Sequence, residues 1–275
     1  MIHFVTDSSA DIPRHLLEKH TIHSIPLSIH VNGKDFAEGV DITPQEFYQE
    51  MALSPELPKT SQPSPAQFAK VFQELTGKGK VLCFTISSKL SGSFNAAVMG
   101  KELSGNPDVT VFDTLAGSLG HGLQVLKAVE LFEQEQPFHM ILSRLNTMRE
   151  EMKFLILLDT LENVVKGGRL SRFQGTLAKV LDIKAILHVI EGRVEILERI
   201  RGRSRSMKRI IELVGDRCTD FSDKIIGVTH VNNLNDARTV ASELEKRYRP
   251  REIIINETGA TIATYAGKDG IIVAF

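Results

Sequence analysis

The first half of this chain alternates apolar strand-length runs with helix-period segments, and the junctions between them are rich in hydroxyls. Residues 2–6, 80–86 and 109–112 read as short buried strands. Residues 13–19, residues 93–103 and a long segment starting near Gly117 read as the helices that follow them. Strand–helix alternation of this kind closes only as a parallel sheet wrapped on both faces. Residues 25–31 read as a further strand, ended by the turn pair Asn32-Gly33. Thr43-Pro44-Gln45-Glu46 and Ser64-Pro65-Ala66-Gln67 are capping-box patterns that open helices, the second running to about Leu75.

The pattern changes near residues 147–151, where a polar helix end meets the apolar run Phe154–Leu158. Residues 183–190 and 194–200 flank Glu191-Gly192-Arg193, a hairpin turn. A helix (206–214), a strand (225–229), a helix (233–246) and a strand (252–256) follow, then a glycine-rich stretch and the apolar residues 271–275. The expected fold is α/β: an N-terminal Rossmann-like domain with a parallel sheet and helices on both faces (residues 1–148), and a smaller mixed α+β C-terminal domain (residues 149–275).

With 33 basic against 34 acidic residues, net charge gives no pull toward nucleic acid, and the absence of Trp argues against a base-stacking platform. Cys83 and Cys218 are too few and too far apart for a disulfide framework, so a reducing cytoplasm is expected. No signal peptide is evident at the N-terminus, and the longest apolar runs are far too short for membrane insertion. The nine histidines are scattered and no metal-site spacing occurs, nor does a phosphate-binding glycine loop, so neither metal nor cofactor is expected.

Three hydroxyl-rich segments carry the functional expectation: Thr6-Asp7-Ser8-Ser9, Thr60-Ser61-Gln62-Pro63-Ser64 and Ser87-Ser88-Lys89-Leu90-Ser91-Gly92-Ser93. In an open α/β sheet, strand-to-helix junctions gather in one crevice beyond the carboxyl ends of the strands. Hydroxyls together with unpaired N–H groups at helix starts make a neutral, donor-rich cradle for a carboxylate or phosphate. Ser91 and the Gly92 N–H are placed facing such an anion; Ser64 is a helix cap, and Thr60 and Ser61 are not needed for that task. Asp7 and Asp113 read as turn residues in preference to orienting groups. A nucleophilic role for Ser91, as in a serine esterase or acyltransferase, is the alternative; it needs an adjacent base such as His121 or His230, and no Gly-x-Ser-x-Gly elbow is present.

Basic residues concentrate in two places. Lys166-Gly167-Gly168-Arg169 is a tight turn that aims Arg169 outward, with Arg172 close behind. Arg199, Arg201, Arg203 and Arg205 recur at every second residue, which on an extended segment sets them on one face. Such a face suits docking of a phosphate or an acidic partner. A nucleic-acid-binding module built on residues 199–209 is the least favoured reading.

In order along the chain, TDSSADIP (6–13), TSQPSP (60–65), SSKLSGSFNAA (87–97), Asp113-Thr114, KGGRLS (166–171) and the closing glycine-rich segment resemble the DegV family of bacterial lipid-binding proteins, essentially end to end. The resemblance implies a two-domain α/β protein that holds one long-chain fatty acid and serves, in characterised members, as the non-catalytic acyl-binding subunit of a fatty acid kinase. It implies Thr60, Ser61 and Ser91 at the carboxylate and Arg169 and Arg201, with Arg203 beside them, toward the kinase or the new phosphate. Where the family's closing motif usually carries His, this chain has Tyr265, and Lys268-Asp269 replaces a Pro-Gly pair. A phenol can donate a hydrogen bond to the carboxylate but, titrating near pH ~10, does not exchange charge as an imidazole does. The substitution therefore bears on the kinase-coupled role more than on lipid binding. Phe94 and Leu119 are the residues named for the wall of the acyl tunnel.

Overall fold

The structure, a computed structural model, describes residues 1–171 and 182–275. Arg172 therefore lies outside the described residues. Strand β1 (Ile2–Asp7) leads through a short 3-10 turn into α1 (Arg14–Lys19); β2 (His23–Ile25), β3 (Ser28–Val31), β4 (Lys34–Ala37), α2 (Pro44–Leu53), β5 (Lys59–Ser61) and α3 (Pro65–Glu74) follow. Then come β6 (Lys80–Thr85), α4 (Ser93–Ser104), β7 (Val109–Asp113), α5 (Ser118–Glu133), α6 (Phe138–Glu151), β8 (Phe154–Leu158) and α7 (Glu162–Lys166). The chain continues through β9 (Ile183–Ile190), β10 (Arg193–Arg201), α8 (Arg203–Gly215), β11 (Ile225–His230), α9 (Leu234–Tyr248), β12 (Glu252–Glu257), α10 (Ala260–Ala266) and β13 (Ile271–Ala274).

Among the described residues there are three sheets. The first, in the order β2-β1-β6-β7, is wholly parallel. Its two central strands, β1 and β6, are buried on both faces over most of their length, as their continuous apolar runs require. The second has six strands in the order β10-β9-β8-β13-β11-β12 and is mixed, with β11 and β12 the parallel pair. The third, β4-β3-β5, is a small antiparallel sheet.

That third sheet corrects the expectation of a single strand over residues 25–31. The run is two strands in two sheets: β2 is parallel to β1, while β3 pairs antiparallel with β4 and β5. Pro26 stands at the break; without an N–H it cannot feed a ladder, so the chain changes sheet there. Both capping boxes form, at Thr43–Glu46 and at Ser64–Gln67, each with a Pro in the first turn.

The core crosses the expected boundary after residue 148. α6 runs on to Glu151. One apolar cluster joins Ile29, Val31, Phe47 and Tyr48 to Leu158, Val164, Leu187 and Ala263. Another joins Leu119 and Leu123 to Phe154, Ile254 and Ile272. Each such fully buried large side chain contributes about 1.5–3 kcal/mol. Polar ties follow the same seam: Tyr48 Oη donates to the Thr258 carbonyl at 2.6 Å, and Asn256 donates to the Asp11 carbonyl at 2.8 Å. No helix among the described residues is long and apolar enough to cross a membrane.

Candidate functional site

A cavity of about 410 Å³ lies between the first and second sheets. That is within the usual range for a small-molecule site. Alternate residues of β8, Phe154, Ile156 and Leu158, face it, as do Leu187 and Val189 of β9. Ile86 and Leu90 close it from the first sheet's side, and Ile262 and Ala266 of α10 close it from above. Polar groups collect at one end: Thr60, Ser61, Gln62, Ser91, Arg169 and Tyr265.

Four chain segments build that polar end, the Arg169 turn after α7 being one of them. Thr60 and Ser61 end β5, held in register by Ile29 and Ser28 of β3. The second hydroxyl segment therefore belongs to the small antiparallel sheet, not to a strand-to-helix junction of the parallel one. It is carried on the edge strand of that sheet, which the chain reaches through α2. Ser91 sits before α4, in a turn fixed by the Leu90 and Ser91 N–H groups donating to the Ser87 carbonyl at 2.9 and 3.1 Å. Tyr265 stands in the last turn of α10.

Thr60 Oγ1 and Tyr265 Oη are 2.6 Å apart. Two hydroxyls sharing one bond leave one proton free. Ser91 Oγ and Ser93 Oγ are 3.0 Å apart, and Ser91 Oγ also accepts from the Ser93 N–H at 3.3 Å. Ser93 is fully buried, so its proton goes to Ser91 and the Ser91 proton is free for the cavity. The Arg169 guanidinium lies 4.6 Å from the centre of the Tyr265 ring. It donates to the Leu90 carbonyl at 3.2 Å and to the Gly167 carbonyl at 2.7 Å, which leaves Nη2 available. A planar cation over an aromatic face is thereby anchored at the rim.

The opposite, inner wall is different in kind. Ser118 and Thr261 also line the cavity, but their hydroxyls are engaged behind it. Ser118 Oγ donates to Asp11 at 2.6 Å, and Thr261 donates to Glu38 through Oγ1 and N, both at 2.7 Å. Burial holds Asp11 well above the usual carboxylate range, raises Glu38, and pushes Asp7 up to about 6. The inner wall therefore has hydroxyl oxygens without spare protons, backed by acids, and does not suit an anion. The donor-rich rim does.

Gly92 does not line the cavity. A Cβ there would meet Gln62 Oε1 at 2.5 Å, so Gly92 lets the Gln62 side chain lie down on the α4 turn. Gln62 reaches the site instead, and sequence reasoning missed it although it sits inside the quoted motif. Phe94 and Leu119 do not line the cavity either; Leu119 is core, packed against Gly227. Asp7 and Asp113 are turn residues that also tie loops together. Asp7 accepts from Ser9 and from the Ile86 N–H at 2.8 Å, and Asp113 accepts from the Ser88 and Leu115 N–H groups, both at 3.1 Å.

The arginines do not form one face. β10 carries a bulge between Ile196 and Glu198, the strand ends at Arg201, Gly202 turns the chain with φ +92°, and Arg203 and Arg205 belong to α8. The arginines leave a common face because the segment stops being extended at Gly202. Arg203 is bound internally, to Asp236 and Asp159 at 2.8 Å each and to the Asp269 carbonyl at 2.8 Å. Arg201 is exposed but sits at the far end of β10 from Val194, the residue bridged to Leu170. Seven residues of strand put it about 20 Å from the Arg169 turn. Only Arg169 of the three stands at the rim.

For the esterase alternative a base is wanting. His121 lies against Thr6 Oγ1 at 2.9 Å and His230 Nδ1 accepts from the Asn233 N–H at 3.2 Å; neither hydrogen-bonds Ser91. Among the described residues no three His, Cys, Asp or Glu side chains are grouped to hold a metal ion.

Comparison with known proteins places this architecture. The chain is 30% identical over 275 residues to a DegV domain-containing protein of Caldanaerobacter subterraneus, covering 100% of this chain and 98% of that one. Its fold matches the structure of a DegV family protein from Thermus thermophilus, described for its fatty acid binding, with a TM-score of 0.93, 32% identity, and coverage of 100% and 99% of the two chains. It also matches DegV from Bacillus subtilis, described as a fatty acid binding protein, with a TM-score of 0.89, 31% identity, and coverage of 99% and 98%. A family model described as "Uncharacterised protein, DegV family" matches residues 1–275, and the chain belongs to the DegV family.

Proposed function

We propose that the protein binds one long-chain fatty acid, with the carboxylate at Thr60, Ser61, Ser91 and Tyr265 and the tail along β8 and β9. One observation carries this: a single cavity has its free hydroxyl protons and a cation at one end and mostly apolar side chains along the rest. Removing a tail from water yields roughly 0.8 kcal/mol per methylene, on the order of 10 kcal/mol for a long chain before the costs of binding. Three donors to a charged head, at about 1.5–3 kcal/mol each, offset its desolvation. The tail sets affinity and the rim sets orientation. The similar proteins from Thermus thermophilus and Bacillus subtilis, both described as binding fatty acids, support the same reading.

In this reading the protein supplies a binding surface and no catalytic group. The carboxylate, held mostly by neutral donors near the surface, is presented to a partner of the fatty acid kinase type, which performs the phosphoryl transfer; Arg169 stands where that partner would meet the new phosphate. The two free cysteines suit a reducing cytoplasm.

Native mass spectrometry of protein taken from cells tests the binding: a fatty acid adduct is expected, and a uniformly ligand-free protein that takes up none on incubation overturns it. Thr60→Ala combined with Ser91→Ala is expected to weaken binding at least tenfold, about 1.4 kcal/mol. Unchanged affinity in that double variant removes the rim from the head site.

A further inference from the structure

Behind the inner end of the cavity lies a second one of about 490 Å³, and the two share Phe154 and Val189 in their walls. We propose that Phe154 and Val189 are the stop that sets the longest acyl chain the protein accepts. The inference rests on the fatty-acid reading above.

The geometry follows from the strands. Phe154, Ile156 and Leu158 face the cavity from one side of β8. Leu158 packs with Val164 and Ala266, next to the Arg169 turn and Tyr265. Phe154 is four residues away, about 13 Å along the strand, so it stands at the end remote from the rim. The register that sets Leu155 opposite His188 brings Val189 of β9 beside Phe154. A tail entering from the rim and following β8 therefore ends on these two side chains.

Phe154 is fixed in place. Its ring lies against the backbone of α5 at Gly120, where a Cβ would overlap ring atoms. It is 5% exposed and cannot fold toward α5 to let a longer tail pass. The space beyond is lined by Leu115, Met152 and Ile190 together with charged side chains, among them Arg149, Lys153 and Glu191. Shortening either partition residue joins the two cavities into one longer channel, whose added length has a mixed apolar and charged lining.

The test is competition among saturated acids. Delipidated wild type, Phe154→Ala and Val189→Ala are each loaded from an equimolar mixture of palmitic, stearic and docosanoic acids, and the bound ratio is read by native mass spectrometry. The ratio of docosanoic to stearic acid is expected to rise at least tenfold in Phe154→Ala and severalfold in Val189→Ala. Phe154→Leu, which keeps most of the side chain's apolar bulk, serves if Phe154→Ala does not fold and is expected to move the ratio in the same direction. Full occupancy with an unchanged ratio in the folded variants overturns the stop while leaving fatty-acid binding intact. A wild type that takes up none of the three acids overturns the binding reading and the stop with it.

Discussion

Tyr265 Oη and Thr60 Oγ1, 205 residues apart in sequence, meet at 2.6 Å across the mouth of the cavity. The contact ties α10 to β5 and leaves a single hydroxyl proton for a ligand. Tyr265→Phe keeps the ring under Arg169 but removes one of the two hydroxyls. Thr60 is then released to donate alone, so the expected loss of fatty-acid affinity is modest, about 1 kcal/mol or severalfold, by isothermal titration. Tyr265→His restores a donor and is expected to hold affinity within a few-fold of wild type while changing the rate of acyl-phosphate formation with a fatty acid kinase catalytic subunit. Equal rates for the two versions would show that the tyrosine is neutral for that partner.

Gly167 positions the same ring from below. Its φ of −76° is open to any residue, yet a Cβ would overlap the Tyr265 ring. Gly167→Ala should therefore displace Tyr265 and, through it, Arg169, with little backbone penalty of its own. Fatty-acid affinity is expected to fall about tenfold while the melting temperature of the ligand-free protein drops by only a few degrees. A large loss of stability with unchanged affinity would reverse the assignment.

The parts of the fold legible in the sequence are those governed by local chemistry. The Thr43 and Ser64 capping boxes, the Asn32-Gly33 turn and the apolar runs of β1, β6 and β7 each announce themselves within a few residues. Pro26 carried a local signal as well, but the length of the apolar run masked it. The site was legible as residue types and not as geometry. Thr60, Ser61, Ser91, Arg169 and Tyr265 do converge, but their convergence depends on a small antiparallel sheet whose partners are set by long-range pairing. Gln62 and the Phe154–Val189 partition had no local mark. The arginine series misled because a single residue, Gly202, ends the strand on which the periodicity argument depended.

Arg203 and Arg201 should part company on mutation. Arg203→Ala removes three hydrogen bonds, two of them to carboxylates, from a site 22% exposed. Asp159 retains Lys184 at 2.8 Å, and Asp236 retains Asn233 at 3.0 Å, which softens the loss. The expected cost is about 1–3 kcal/mol in urea denaturation. Arg201→Ala, at an exposed strand end, is expected to change stability by no more than about 0.5 kcal/mol. Any effect it has on a partner is then read without a folding artefact.

Glu38 links pH to the seam behind the cavity. It is fully buried and accepts from Ser8 and from Thr261, whose side chain lines the cavity. Burial raises its folded-state pKa, the nearby Asp7 adds to this, and the three donors only partly compensate. The folded state thus keeps a proton that the unfolded state has lost, and stability falls as pH rises from the unfolded carboxylate value through the raised one. Asp11 has the same sign, and so does Asp7, whose shift from 3.8 to about 6 corresponds to about 3 kcal/mol. His121 opposes them: burial pushes its imidazole down to about 3, so the unfolded state holds the extra proton up to about pH 6.5 and stability rises with pH across that interval. Burial lowers His23, His188 and His230 as well, with the same sign as His121, so the Glu38 contribution is read from the difference between wild type and a Glu38 variant. Glu38→Gln keeps the shape and the bond from the Thr261 N–H, and the Ser8 and Thr261 hydroxyls can rotate to accept from the new amide. The variant is expected to be at least as stable as wild type at pH 7, and its stability relative to wild type is expected to grow as pH rises above the unfolded carboxylate value, measured by urea denaturation at constant ionic strength. A variant weaker than wild type at pH 7 with an unaltered slope would mean that Glu38 is ionised in the folded protein and stabilised by its three donors.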